Sequence, residues 1–154
     1  MRRLYTQEHS HRQAIGLLVL RLIVGTAFIL HGWPKMQNPT GWMGPDGPPA
    51  FLQLAAAVAE FGGGIALILG FLTPLAAGLI AINMIVAMFL VHFPKGHKFV
   101  NPGEGSFELP LVFLGVMILF VTTGAGRYSL DAAIWRRRPE AITVRDRWAR
   151  PTAA

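Results

Sequence analysis

An arginine stands inside an apolar run long enough to cross a bilayer. The run is Leu17 to Lys35, LLVLRLIVGTAFILHGWPK, with Arg21 near its start and the polar cluster His31-Gly32-Trp33-Pro34-Lys35 at its end. A charged side chain at the centre of a membrane helix costs about 2.5–3.5 kcal/mol even on the mildest insertion scale, so such residues face a bundle interior and meet a polar partner there. The run therefore demands further membrane helices, and at least one of them must carry a complement to Arg21. Glu60 and Asn83 are the candidates.

The rest of the chain supplies those helices. Apolar spans run from Ala14 to Trp33, Ala50 to Gly70, Pro74 to Phe93 and Phe107 to Ala125. Each is near the ~20 residues that cross a hydrocarbon core. None alternates as a strand would, and lipid admits only helices or closed barrels. The fold class read from this is all-α, an integral membrane four-helix bundle. Gln37 to Pro49, QNPTGWMGPDGPP, and Pro94 to Ser106, PKGHKFVNPGEGS, are loops by their Pro and Gly content. Gly70-Phe71-Leu72-Thr73-Pro74 is a tight turn, with glycine closing one helix and Thr-Pro opening the next. Ser106 is the expected cap of the fourth helix, and Pro110 falls in its first turn.

Charge then orients the bundle. Of the 154 residues only 14% are charged, against about 25% in a soluble domain. The net charge of +6 is not a nucleic-acid footprint, because the basic residues sit in the two tails. Arg2, Arg3 and Arg12 precede the first helix; Arg127, Arg136, Arg137, Arg138, Arg145, Arg147 and Arg150 follow the last. The segments between the spans hold only Lys35, Lys95 and Lys98. The positive-inside rule makes both termini cytoplasmic. The organisation expected is a basic tail over 1–13, a four-helix domain over 14–135 and a second basic tail over 136–154. The first apolar run is too long for a signal peptide and lacks a cleavage site, so it reads as an uncleaved helix. The second tail, with Arg136-Arg137-Arg138 and Trp148, either lies on anionic headgroups or acts as a stop-transfer segment.

Depth sorts the intramembrane polar residues into two layers. Counted at 1.5 Å per residue from the cytoplasmic ends, Arg21 lies about 12 Å deep and Glu60 and Asn83 about 15 Å. The expected arrangement is an Arg21–Glu60 pair completed by Asn83; the alternative is that Arg21 snorkels toward the cytoplasm and leaves Glu60 to be protonated. Arg21, Gly25, Phe28 and Gly32 share one face of the first helix; Gln53, Ala56, Glu60 and Gly64 share one face of the second. Small residues beside polar ones mark close helix approach. Such a layer either fixes helix register or relays a proton.

The second layer, near the outer surface, holds His31, Lys35, His92 and Glu108. Glu108, Gly115 and Thr122 form a stripe on the fourth helix. Imidazole and carboxylate are metal ligands and paired histidines hold haem, but these residues are too scattered to form a motif for either. A quinone fits the layer better: it partitions into bilayers, and its carbonyls need donors near the interface. Trp33, Trp42, Phe51 or Phe107 would pack its ring. Asn83 and His92, nine residues apart, fall on opposite sides of an ideal helix, so only one of them is expected to face the bundle.

No cysteine is present, which excludes thiolate-held clusters, c-type haem attachment and a Cys-x-x-Cys redox centre. The chain also lacks a phosphate-binding glycine loop, a zincin motif and a nucleophile elbow. Gly62-Gly63-Gly64 sits mid-helix and reads as close packing. Arg127 and Asp131 are expected to pair in the turn after the last helix.

The run Leu20-Arg21-Leu22, Gly25, Phe28, His31-Gly32 and Lys35 resembles the opening of the DoxX family of small membrane proteins. So do Glu60, Gly63-Gly64, Leu67, Leu69-Gly70 and Thr73-Pro74, and so do Glu108 and the closing Gly124-Ala125-Gly126-Arg127-Tyr128-Ser129-Leu130-Asp131. The resemblance spans Ile15 to Trp135. It implies a four-helix bundle in the bacterial cytoplasmic membrane. Some members are subunits of thiosulfate:quinone oxidoreductases, and others are linked to membrane complexes that handle oxidative stress. The resemblance carries no catalytic motif, so the residues named above rest on depth alone.

Together these readings point to a membrane subunit of a redox system that binds a quinone or another lipophilic ligand and works with a redox partner protein. Two other classes fit the same residues: a non-enzymatic assembly protein or scaffold whose polar layer specifies packing, and a small transporter or proton pathway around Glu60, which would need a homo-oligomer.

Overall fold

The computed structural model describes residues 9–102 and 105–135. Both extreme tails, with Arg2, Arg3, the Arg136–Arg138 cluster and Trp148, lie outside the described residues. Helix α1 spans His11–Gln37, α2 Ala50–Leu69, α3 Thr73–Ala87, α4 Glu108–Thr123 and the short α5 Leu130–Trp135. A π-helical turn, Met88–His92, extends α3. No strand occurs among the described residues. The first three spans, with α3 and its π turn taken together, have the length and hydropathy to cross a membrane. Helix α4, with 16 residues, is shorter and equally apolar. The chain is an integral membrane four-helix bundle.

Helix α1 is longer than expected at both ends. Ser10 opens it through a capping box: its side chain accepts from Gln13 N–H at 3.3 Å, and Gln13 Oε1 accepts from Ser10 N–H at 2.9 Å. The helix therefore starts inside the expected polar tail. At the other end it runs through Pro34, where a break was expected after Trp33. Proline removes one backbone bond, to the carbonyl of Leu30 on the helix's outer side, a loss that membrane helices tolerate. The extra turn carries Lys35 past the loop boundary and over α2.

Helices α1 and α2 pack antiparallel through glycines. A Cβ on Gly25 would lie 2.8 Å from the Gly64 carbonyl oxygen, and one on Gly32 would lie 2.5 Å from Phe61 N. Only bare backbone allows this approach. Gly63 makes room for the Ile80 side chain of α3, so Gly63 and Gly64 both serve packing. Between the helices lies a core of Leu17, Val24, Phe28, Leu67, Ala77, Ile80, Met84, Met117 and Phe120. The outward faces are apolar: Ile23, Leu30, Ile82 and Phe89 are each at least 60% exposed, as lipid-facing residues should be.

The end of the bundle that carries the α2–α3 turn is closed by α5 and the turn before it. Gly70 ends α2 in the left-handed conformation at φ 65°, and Leu72 takes φ 46°. Asp131 then accepts from Leu72 N–H at 2.7 Å and Thr73 N–H at 2.8 Å, and its own N–H donates to Gly70 O at 2.8 Å. The carboxylate thus caps α3 from a distant part of the chain. This replaces the expected Arg127–Asp131 pair; Arg127 instead lies over the Tyr128 ring. Ser129 Oγ, bonded to Ala132 N–H at 3.1 Å, caps α5. The expected Ser106 cap is also absent from α4: Phe107 precedes the helix, and Ser106 pairs in a bridge with Lys98.

Candidate functional site

The two polar clusters are built by the α1–α2 register. Gly25 lies against Gly64 and Ile68, and Gly32 against Phe61. Extending that antiparallel register puts Arg21 beside Gly70 and brings Lys35 to Glu60. Arg21 is fully buried and Nη2 donates to the Tyr128 carbonyl. Its Nε and Nη1 have no hydrogen-bond partner among the described residues. Glu60 is 4% exposed and takes two donors on one oxygen: Lys35 Nζ at 2.5 Å and Asn83 Nδ2 at 2.9 Å, both to Oε1.

The expected Arg21–Glu60 pair is therefore not formed. Depth counted from each helix's own end fails because the ends are not level. Helix α1, at 27 residues, is about 40 Å long and extends well past the α2–α3 turn, beginning three residues before the assumed boundary. Arg21 thus stands at the level of the α2–α3 turn. Glu60 and Asn83 do share a layer, as read from sequence, and the cation in that layer is Lys35.

A cavity of about 320 Å³ opens beside this cluster, between α1, α3 and α4. Its polar lining comes from His31, Lys35, Glu60 and His92, and its apolar lining includes Phe28, Met84 and Phe113. Phe113 stacks near Phe28, with ring centroids 4.7 Å apart, and meets His31 edge-on. Three residues expected near the outer surface, His31, Lys35 and His92, thus share one cavity with Glu60. Glu108 does not line it: it is exposed at the start of α4, and Gly115 and Thr122 lie on the same outward stripe, away from buried Met117 and Phe120.

His92 reaches the cavity although Asn83 also faces inward. The π-helical turn reconciles them. It accommodates one extra residue, so nine steps act as about eight and the angle between the two side chains falls from about 180° to about 80°. His92 Nδ1 also lies 3.0 Å from His97 Nδ1, one ring donating and the other accepting. His97, in the loop after α3, carries no pattern that would have marked it in the sequence.

A smaller chamber of about 60 Å³ adjoins the other side of the Lys35–Glu60 pair, under the α1–α2 loop. Gln53 knits that loop down: Oε1 accepts from Met43 N–H at 2.9 Å and Nε2 donates to Pro48 O at 2.8 Å. Trp42 Nε1 donates to Gln53 O at 3.2 Å, and its ring lies 4.5 Å from Lys35 Nζ. Trp42 therefore covers the cation and lines the chamber. The other aromatics expected around a ring ligand do not: Trp33 and Phe51 are 57% and 68% exposed, and Phe107 packs on Phe93 and Phe99. Phe28 and Phe113 take that place. Among the described residues no group of three or more His, Cys, Asp or Glu side chains is arranged to hold a metal ion.

The cavity combines an apolar lining with two imidazoles, an ammonium and a carboxylate. Comparison with known proteins agrees with the membrane architecture. The DoxX family model matches residues 16–93. An uncharacterized protein of Haemophilus influenzae is 37% identical over 79% of this chain and 92% of its own length. The inner membrane protein YqjF of Escherichia coli is 34% identical over 76% and 90%, and the "Putative oxidoreductase CatD" of Bacillus subtilis is 30% identical over 79% and 89%. No solved structure matches the chain. With its membrane-length apolar helices and its inner-membrane relatives, this is a multi-pass inner-membrane protein. The matched span and the near full-length relatives establish that the chain belongs to the DoxX family.

Proposed function

We propose that the chain is the membrane subunit of a redox system, and that the cavity between α1, α3 and α4 takes the ring of a quinone or a similar lipophilic carbonyl compound. The observation that carries this is the cavity itself. Its volume of about 320 Å³ lies in the range of small-molecule sites, and its lining is mostly apolar with a few convergent polar groups. Phe28 and Phe113, already in contact with each other, would pack against one side of the ring. His31, His92 and the free protons of Lys35 would donate to its oxygens. Similarity to a protein carrying an oxidoreductase name supports the redox assignment. The basic tails support an orientation with both termini cytoplasmic, which would set the cavity toward the outer surface. A redox partner protein and a homo-oligomer belong to the same reading.

Arg21 stands apart from this site. Its contact with the Tyr128 carbonyl and its closeness to Gly70 favour a packing role, as in the scaffold reading.

The test is saturable binding of a short-chain quinone to the full chain in lipid nanodiscs, against protein-free discs. Wild-type protein should bind near one equivalent. Phe113→Trp, which fills the cavity, should abolish binding while the protein still melts cooperatively. No saturable binding to the wild-type protein, alone or with co-purified partners, would sink the proposal.

A further inference from the structure

The two oxygens of Glu60 are unequally used. Both protein donors within reach, Lys35 Nζ and Asn83 Nδ2, go to Oε1. Oε2 is buried and has no hydrogen-bond partner among the described residues. The side chain is only 5% exposed, so bulk water does not satisfy this oxygen. Glu60 lines the large cavity, as Lys35 does. A ligand held by the ammonium, which has donors to spare, therefore also meets a carboxylate with one oxygen lacking a donor; that oxygen is closed to a water-sized contact here, so a rotation of the carboxylate brings it to the ligand.

We infer that the cavity selects ligands presenting a hydroxyl, the quinol or another phenol, over the corresponding quinone carbonyl. The inference rests on the ligand reading above and deepens it by naming the preferred chemical form. A hydroxyl both donates and accepts. It donates to Glu60 Oε2 in a charge-assisted bond, the strong class of O–H···O⁻ contact. Its oxygen at the same time accepts from Lys35 or His31. A carbonyl satisfies the ammonium equally well, but it sets an acceptor against Oε2 and leaves that buried oxygen unpaired. Truncating one side of such a contact exacts the full desolvation cost of the other, which is why hydrogen-bond sites discriminate against analogues lacking the donor. Hydrogen bonds to charged groups convert to a preference on the order of ten- to a hundredfold.

The experiment uses the full chain in nanodiscs under anaerobic conditions with three probes: tetramethyl-p-benzoquinone, its quinol and the dimethyl ether of that quinol. The quinol should bind at least about tenfold more tightly than the quinone. The ether keeps the ring and removes both donors, so it should bind no better than the quinone. Glu60→Gln should narrow the quinol-to-quinone ratio. The ether comparison needs only the wild-type protein, so the test survives if Glu60→Gln does not fold. Saturable binding with quinone or ether equal to quinol overturns the donor preference and leaves the ligand reading standing. A folded Glu60→Gln protein with an unchanged ratio overturns it as well. No saturable binding of any probe overturns the ligand reading and this inference with it.

Discussion

Asp131 caps a helix that begins 58 residues earlier, accepting the N–H of Thr73 at 2.8 Å while its second oxygen takes that of Leu72 at 2.7 Å. One carboxylate thus holds the α2–α3 turn, including the left-handed Leu72, against the end of α4's following segment. Asp131→Ala should remove the cap. A lost cap costs about 1–2 kcal/mol, and this carboxylate serves two N–H donors, so a loss of about 2 kcal/mol is expected. Asp131→Asn should cost less because it keeps one acceptor. Thermal melts in detergent would show the order; equal melting of Asp131→Ala and wild type would refute the cap's importance.

Gly70 and Arg21 form a second joint at the same end. Gly70 sits at φ 65°, and a Cβ there would overlap the Arg21 guanidinium and lie 2.5 Å from Ser129 Cβ. Gly70→Ala should destabilise by about 2–3 kcal/mol, combining left-handed strain with the clash. Arg21→Ala in the same chain should recover part of the loss, since it removes the atoms in the way. A double-mutant cycle measures this directly. Strict additivity would mean that the two residues do not press on each other.

The spans, the loop positions, the Gly70–Pro74 turn and the inward faces of α1 and α2 were all legible in the sequence. Each rests on local chemistry: apolar length, Gly and Pro placement, and a period of 3.6. The Glu60–Asn83 contact was legible too, because two polar residues at one depth have few other partners in lipid. The cation was not. Its identity depends on the stagger of α1 against α2, which is set by the contacts of Gly25 with Gly64 and Gly32 with Phe61 and by the continuation of α1 through Pro34. Neither can be counted from a helix end. The approach of His92 depends on a π turn that leaves no mark in composition, and the reach of Asp131 to α3 depends on the path of the chain after α4.

That stagger makes a direct prediction. The chain has no native cysteine, so introduced pairs report without background. A short bis-maleimide, which adds one thiol at each end, should link Lys35→Cys with Glu60→Cys. It should fail to link Arg21→Cys with Glu60→Cys, because Arg21 lies 14 residues from Lys35 along α1, about 21 Å. Mobility shifts on a denaturing gel after crosslinking in membranes would decide. Efficient linkage of the Arg21 pair would restore the arrangement expected from depth alone and remove the basis of the candidate site.

The Lys35–Glu60 pair is the remaining test, because stability and ligand selection both pass through it. Its members are 21% and 5% exposed at 2.5 Å, so breaking one side leaves the other poorly solvated. Removing a partner from a well-buried pair costs about 3–5 kcal/mol; the part-exposed ammonium argues for the lower end of that range. Lys35→Met alone should therefore lower the melting temperature clearly, with the ionised Glu60 left to Asn83 only. Lys35→Met with Glu60→Gln should melt close to wild type, since neither charge remains to be compensated and Asn83 still has an oxygen to donate to. The double variant should nevertheless lose the preference for quinol over quinone. Stability regained together with an unchanged preference would show that the pair serves packing alone. Stability lost equally in single and double variants would show that the ammonium acts through the Trp42 ring, 4.5 Å from Nζ, rather than through Glu60.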